Sequence, residues 1–160
     1  MRVDEIMSTH LETCRSEDSL QAAGRTMWDH DIGILPVVAA DGRLTSVITD
    51  RDIAMAACIT GKPLHEIKVS EVMSKRLVTV LPSDDLHLTE ERMQAEQVHR
   101  IPVVDRAGFL TGIITINDLA HHLRSRKVGN GVTPDGVAGT VAAISAPRTT
   151  ASWADQRPSP

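Results

Sequence analysis

Leu44-Thr45-Ser46-Val47-Ile48-Thr49-Asp50-Arg51-Asp52 reads as an apolar strand that runs straight into a helix, with a Thr and an Asp three residues apart on the joining turn. The same construction returns 66 residues later as Leu110-Thr111-Gly112-Ile113-Ile114-Thr115-Ile116-Asn117-Asp118. Thr49 and Asp52 fall on Thr115 and Asp118 without a gap. Two such turns in one chain call for a test of internal duplication before any fold is argued.

Sliding the chain by 66 lays residues 3–53 on 69–119 with no insertion and with 18 identities in 51 positions. Val3-Asp4-Glu5-Ile6-Met7-Ser8 meets Val69-Ser70-Glu71-Val72-Met73-Ser74, and Pro36-Val37-Val38 meets Pro102-Val103-Val104. Several of the remaining pairs, such as Ile6 with Val72 and Val47 with Ile113, are apolar for apolar. The chain is a duplication, and two like units are expected around a pseudo-twofold axis.

Within each copy the pattern reads β-α-β-β-α. Residues 3–7 form a short amphipathic turn. Thr13-Cys14 and Val78-Thr79-Val80 read as short strands. Asp18 and Ser19, and Ser83 with Asp84 and Asp85, suit helix N-termini. Leu20, Ala23, Gly24, Met27 and Trp28 then recur on one helical stripe. The second copy keeps the period but puts Thr89 and Glu90 where apolar residues are wanted. Ile34–Val38 and Ile101–Val104 are strands, each containing a proline that belongs at a start, an edge or a bulge. Asp41-Gly42 and Ala107-Gly108 mark hairpins, followed by strands 44–49 and 110–115 and helices over 50–59 and 116–124. This predicts an α+β fold with one repeat over 1–61 and a second over 62–125. The Gly-, Pro-, Ser- and Thr-rich remainder, 126–160, reads as a flexible tail, with 137–144 apolar enough to dock.

Composition limits the function. Of 160 residues, 41% are hydrophobic and 24% charged, the balance of a soluble globular protein. A net charge of -4 with 2% aromatics disfavours nucleic acid and anionic membrane as partners. No run is long and apolar enough to span a bilayer, and the first residues lack a signal-peptide pattern, so a cytoplasmic protein is expected. Cys14 and Cys58 have no metal-ligand spacing and read as reduced, buried thiols, with one redox-active pair as the alternative. No Ser/His/Asp or Cys/His arrangement or metal cluster is signalled, so neither catalytic nor metal residues are expected. His121-His122 read as surface residues near a helix end.

Thr-x-x-Asp at a helix start has a plain explanation: Thr accepts from an early helix N–H while Asp reaches back to the Thr N–H. It also has a functional one. A strand end meeting a helix N-terminus offers free N–H groups and a positive dipole to an anion. An Asp on that turn can accept both hydroxyls of a ribose, and a Thr hydroxyl can donate to a phosphate. Arg51 in the first turn and His99-Arg100 ahead of the second copy's strand supply positive charge. The first copy has Gly33-Ile34 where the second has His99-Arg100, so the two turns are unequal.

Two tandem copies of apolar strand, Gly turn, apolar strand and Thr-x-x-Asp helix, each opened by a short helix ending Met-Ser, resemble a pair of CBS (cystathionine-β-synthase-type) domains, or Bateman module. The resemblance covers about residues 1–125. Asp31–Val38 and Ile48–Ile53 are close to stretches of stand-alone bacterial two-CBS proteins. The resemblance implies adenine-nucleotide sensing: AMP, ADP or ATP, or S-adenosylmethionine, bound as ligand and with no cofactor. It implies phosphate and ribose contacts from Thr49/Asp52 and Thr115/Asp118, and phosphate contacts from His99 and Arg100. Arg51 would compensate for Gly33-Ile34. Backbone contacts to adenine would come from Thr13-Cys14-Arg15 and Thr79-Val80-Leu81. The resemblance also implies a homodimer built on helix faces, here those carrying Met55, Ala56, Leu119 and Leu123, and leaves room for an unknown protein partner. The rival is an interaction or stress protein whose Thr and Asp residues only cap helices.

Overall fold

Prolines 36 and 102 determine how each sheet is built. In the computed structural model, which describes residues 1–125 and 132–147, the helices and strands are α1 (Leu20–Asp29), β1 (Ile34–Val38), β2 (Leu44–Thr49), α2 (Asp50–Thr60), α3 (Val69–Val72), α4 (Leu86–Glu96), β3 (Arg100–Val104), β4 (Leu110–Thr115), α5 (Ile116–Ser125) and α6 (Pro134–Ser145). β1 pairs antiparallel with β2, and β3 with β4, with the same register shift after Val37 and after Val103. Gly42 and Gly108 close the two hairpins at φ 87° and 88°, a conformation that strains any side chain. The strands expected at 13–14 and 78–80 shrink to single parallel bridges, Cys14 to Val37 and Val80 to Val103. Cys14 N–H donates to the Pro36 carbonyl and Val38 N–H to that of Cys14. The next rung would need an N–H on residue 36, which proline lacks, so the ladder stops there.

The chain divides into two compact units. The α1–α2 unit spans Glu12–Leu77; the α4–α5 unit combines Met1–Leu11 with the described residues from Val78 onward. The units do not coincide with stretches 1–61 and 62–125, because each repeat's opening segment is exchanged. Val3 N–H bonds the Asp84 carbonyl and Ser8 pairs with Ile113, whereas Val69 N–H bonds Asp18 and Ser74 N–H bonds Val47. Val3 is wholly buried with Leu86, Met93, Ile101 and Ile114, and Val69 equally so with Leu20, Met27, Leu35 and Ile48. Each buried Leu or Met in these cores is worth about 1.5–3 kcal/mol. The duplication is evident along the chain, but which copy an opening turn packs on is not.

Caps fall where short polar residues were expected. Ser19 Oγ accepts from Ala22 N–H at the start of α1, and an Asp85 carboxylate oxygen from His87 N–H at the start of α4. That bond, with the neighbouring N-terminal ammonium, holds the Asp85 carboxyl below its ordinary range.

Three expectations are corrected. Residues 134–145 are helix α6, packed on α4 and α5, not part of a flexible tail; 126–131 and 148–160 lie outside the described residues. Val137, Thr140 and Ile144 are buried at i, i+3 and i+7, and Thr133 caps the helix. Glu90, which spoils the apolar stripe of α4, is buried against Thr140 and Gly136 of α6, and Thr89 is buried with its Oγ1 donating to the Asp85 carbonyl. Of the residues assigned to a dimer face, Ala56 and Leu119 are buried and Leu123 packs on a core; Met55 is exposed. Of the two thiols read as buried, Cys14 is and Cys58 is exposed.

Candidate ligand site at the paired helix caps

Both Thr-x-x-Asp turns fold into the same reciprocal cap. Thr49 N–H and Thr49 Oγ1 both donate to Asp52 Oδ2, at 2.9 and 2.7 Å, while Asp52 N–H donates to Thr49 Oγ1 at 3.2 Å. For Thr115 and Asp118 the three distances are 2.8, 2.8 and 3.2 Å. All four residues are half-buried. A hydroxyl has one hydrogen, and each Thr spends it on its Asp. The expected donation from Thr to a phosphate therefore competes with the cap. Each Asp uses only Oδ2; among the described residues Oδ1 of Asp52 and of Asp118 has no recorded partner and can accept from a ligand hydroxyl.

The surroundings of the two caps differ in charge. Arg100 stands opposite Thr115 in the β3–β4 register, and Ile34 opposite Thr49 in β1–β2. Directly opposed residues share a face, so the residue facing the cap Thr is basic in one unit and apolar in the other. Arg100 and His99 are exposed, and among the described residues neither side chain has an ion pair or hydrogen bond. The helix starts differ too. In α2 the Asp50 carboxylate accepts Arg51 N–H at 2.7 Å, covering a free helix donor with negative charge. The equivalent of Asp50 is Ile116, and among the described residues the Asn117 N–H has no recorded acceptor. Arg51 is exposed. Asp50 and Ile116 are candidate positions that sequence reasoning missed; the aligned pair of an acid and an isoleucine was the available signal.

The segments expected to meet an adenine ring are largely committed. Cys14 and Val80 are buried, and their N–H and carbonyl groups bond β1 and β3. Arg15 and Leu81 donate their N–H groups to the Asp18 and Asp84 carboxylates. Thr13 and Thr79 remain, with the Thr79 carbonyl accepting from Arg92 at 2.7 Å. Burial, with the nearby Asp18 charge, pushes the Cys14 thiol up to about 12, so it is no nucleophile near neutrality. A surface concavity of about 340 Å³ lies between Val80, Asp84, Leu88, Thr89 and Arg92 and includes none of the cap residues. Among the described residues no group of three or more His, Cys, Asp or Glu could hold a metal, and no helix is long and apolar enough to cross a membrane.

Two α+β repeats of one register, each carrying a strand-to-helix Thr–Asp cap, define a tandem-repeat module. The CBS domain model matches residues 3–58 and 69–125, and the chain belongs to the CBS domain family. The CBS domain-containing protein YhcV of Bacillus subtilis is 34% identical over 132 residues, 82% of this chain and 92% of that protein. The homoserine O-acetyltransferase of Methanohalobium evestigatum is 28% identical over 74% of this chain but only 23% of its own length. Among solved structures, the CBS domain pair of protein MJ0100 in complex with 5-methylthioadenosine and S-adenosyl-L-methionine superposes with a TM-score of 0.72 at 27% identity, covering 79% of this chain and 98% of that one. Hypoxic Response Protein I, with two coordinated zinc ions, superposes at 0.70 with 30% identity over 77% and 99%. The chain is thus a CBS pair similar to proteins composed of little else and to a pair that holds adenosine derivatives.

Proposed function

We propose that this chain is a non-catalytic regulatory module that binds an adenine nucleotide, AMP, ADP or ATP, at its Thr–Asp caps, and that it works as a cytoplasmic homodimer sensing cellular energy state. The observation that carries this reading is the α4–α5 cap: a carboxylate oxygen open to ribose hydroxyls, an open helix N–H and the Arg100 guanidinium on one face. Together these suit a ligand with a diol at one end and a phosphate at the other. The α1–α2 cap keeps the diol acceptor but carries Asp50 and Ile34, and suits an adenosine derivative without phosphate, as S-adenosylmethionine is. The adenosine ligands held by the MJ0100 pair support the ligand class. No step of a reaction is assigned to any residue.

A second reading has its own observation in favour. Each Thr–Asp pair forms a reciprocal helix cap from its own groups, so recurrence needs no ligand. On that reading the chain is a ligand-free interaction protein.

Thermal unfolding with millimolar AMP, ADP, ATP and S-adenosylmethionine separates the two. A ligand at 100 times its dissociation constant adds about 2.7 kcal/mol, a rise of several degrees in Tm. A rise with any of the four supports the sensor; no rise with all four supports the interaction protein.

A further inference from the structure

The concavity of about 340 Å³ beside the start of α4 is lined by Val80, Asp84, Leu88, Thr89 and Arg92, all of the α4–α5 unit. Its volume falls at the small end of the range for ligand pockets, about 300–1,000 Å³.

Two of the five carry opposite charges. Asp84 is held by its own turn: Oδ2 accepts the Leu81 N–H at 2.9 Å, and the Asp84 N–H donates to the Leu81 carbonyl at 3.0 Å. Among the described residues its Oδ1 has no recorded partner. Arg92 is held separately, its Nη1 donating to the Thr79 carbonyl at 2.7 Å. A guanidinium has five N–H donors, and among the described residues Arg92 makes no other hydrogen bond and no ion pair. Asp84 and Arg92 thus line one concavity without pairing with each other. The neighbouring acids are already matched, Asp85 with the N-terminal ammonium at 3.2 Å and Glu91 with His87 at 3.6 Å. A carboxylate and a guanidinium fixed by separate backbone bonds leave an acceptor and a donor fork to a third party.

The remaining lining is apolar. Val80 is buried with its N–H and carbonyl tied to β3, so it offers only its side chain. Thr89 spends its hydroxyl on the Asp85 carbonyl at 3.0 Å. Leu88 is 62% exposed. Shifted by 66, the five residues become Cys14, Asp18, Ala22, Ala23 and Thr26. Asp18 keeps the turn, accepting the Arg15 N–H at 2.8 Å, so this acid is scaffold in both copies. Leu88 and Arg92 have no equivalents: Ala22 is a methyl group, and the Thr26 hydroxyl is used on the Ala22 carbonyl. One copy alone carries the apolar wall and the guanidinium.

We propose that this concavity binds a free α-amino acid with an apolar side chain, its carboxylate on Arg92, its ammonium on Asp84 Oδ1 and its side chain against Val80 and Leu88. A zwitterion satisfies both charges at once. A plain anion would meet Asp84 as a like charge, and a plain amine would meet Arg92 in the same way. The site shares no residue with either Thr–Asp cap and stands whether or not a nucleotide binds there.

Titration of the isotope-labelled full chain with L-leucine, followed by amide resonances, tests this. Millimolar L-leucine is expected to shift the amides of 80–92 in a saturable way and to leave those of 115–118 in place. Arg92→Gln and Asp84→Asn should each raise the dissociation constant tenfold or more. Arg92 is exposed, so Arg92→Gln should keep its melting curve and carries the test if Asp84→Asn unsettles the turn. 4-Methylpentanoate, which lacks the ammonium, and 3-methylbutylamine, which lacks the carboxylate, should each bind at least tenfold more weakly. No saturable shift with L-leucine, L-isoleucine, L-valine or L-methionine overturns the site, and so does unchanged affinity in Arg92→Gln. 4-Methylpentanoate binding as tightly as L-leucine overturns the amino-acid class in favour of a simple anion.

Discussion

Arg100 stands directly across the strand pair from Thr115, the residue that caps α5 and bonds Asp118, and no described carboxylate pairs with it. An unpaired guanidinium on the face of a helix cap is poised for an anion. Its counterpart across from Thr49 is Ile34. The ligand preference proposed for each cap rests on this one difference together with Asp50.

Arg100→Ala should weaken binding of AMP or ATP tenfold or more, about 1.4 kcal/mol, and flatten the dependence of affinity on salt. Stability should change by less than about 0.5 kcal/mol, as for other exposed substitutions. Calorimetric titration at two salt concentrations checks both. Equal affinities for wild type and variant would remove phosphate contact from the role of Arg100.

Asp50→Ala removes the carboxylate that covers Arg51 N–H. The α1–α2 cap should then accept a phosphate-bearing ligand more readily, so the stoichiometry of AMP binding or its second-site affinity should rise. Unchanged binding at both caps would mean that Asp50 does not govern the choice.

The exchanged opening segments predict a crossed effect. Val3→Ala should cost about 2 kcal/mol through lost buried methyls and speed amide exchange in α4, although Val3 precedes α1 in the chain. Val69→Ala should speed exchange in α1 instead. Exchange rising in the unit nearer in sequence would contradict the exchange.

The two thiols should separate cleanly. Near pH 8 a thiol reagent should modify exposed Cys58 fast and buried Cys14 only on unfolding. The native state keeps the Cys14 proton up to about 12, whereas the unfolded chain releases it near the ordinary 9.0. The folded value is raised, so its stabilisation is whole below pH 9 and is lost as pH rises from there toward 12. Cys14→Ala should therefore show a shallower alkaline loss of stability than the wild type.

Much of this was open to sequence reading, because duplication fixes register. The 66-residue shift located both hairpins, both caps and the strand-to-helix turns, since glycine at positive φ and Thr-x-x-Asp are local requirements. Three things were not local. Which core Val3 and Val69 enter depends on the partner copy, and both are valines. The strands at Thr13-Cys14 and Val78–Val80 were cut short by a missing proline N–H on a neighbouring strand. Helix α6 escaped notice because three glycines and prolines mask its period, while its partners Glu90, Gln94 and Gln97 look like an exposed polar face until α6 covers them.

The most direct test is calorimetric titration of the wild type, Asp118→Ala and Asp52→Ala with AMP, at a temperature where all three are folded. Loss of a cap costs about 1 kcal/mol of stability, and melting curves will report that loss for both variants whatever the cap's role. The account expects measurable AMP binding by the wild type and at least a tenfold loss in Asp118→Ala, with Asp52→Ala less affected. Equal AMP affinity in all three proteins, or no heat from any of them, would contradict it.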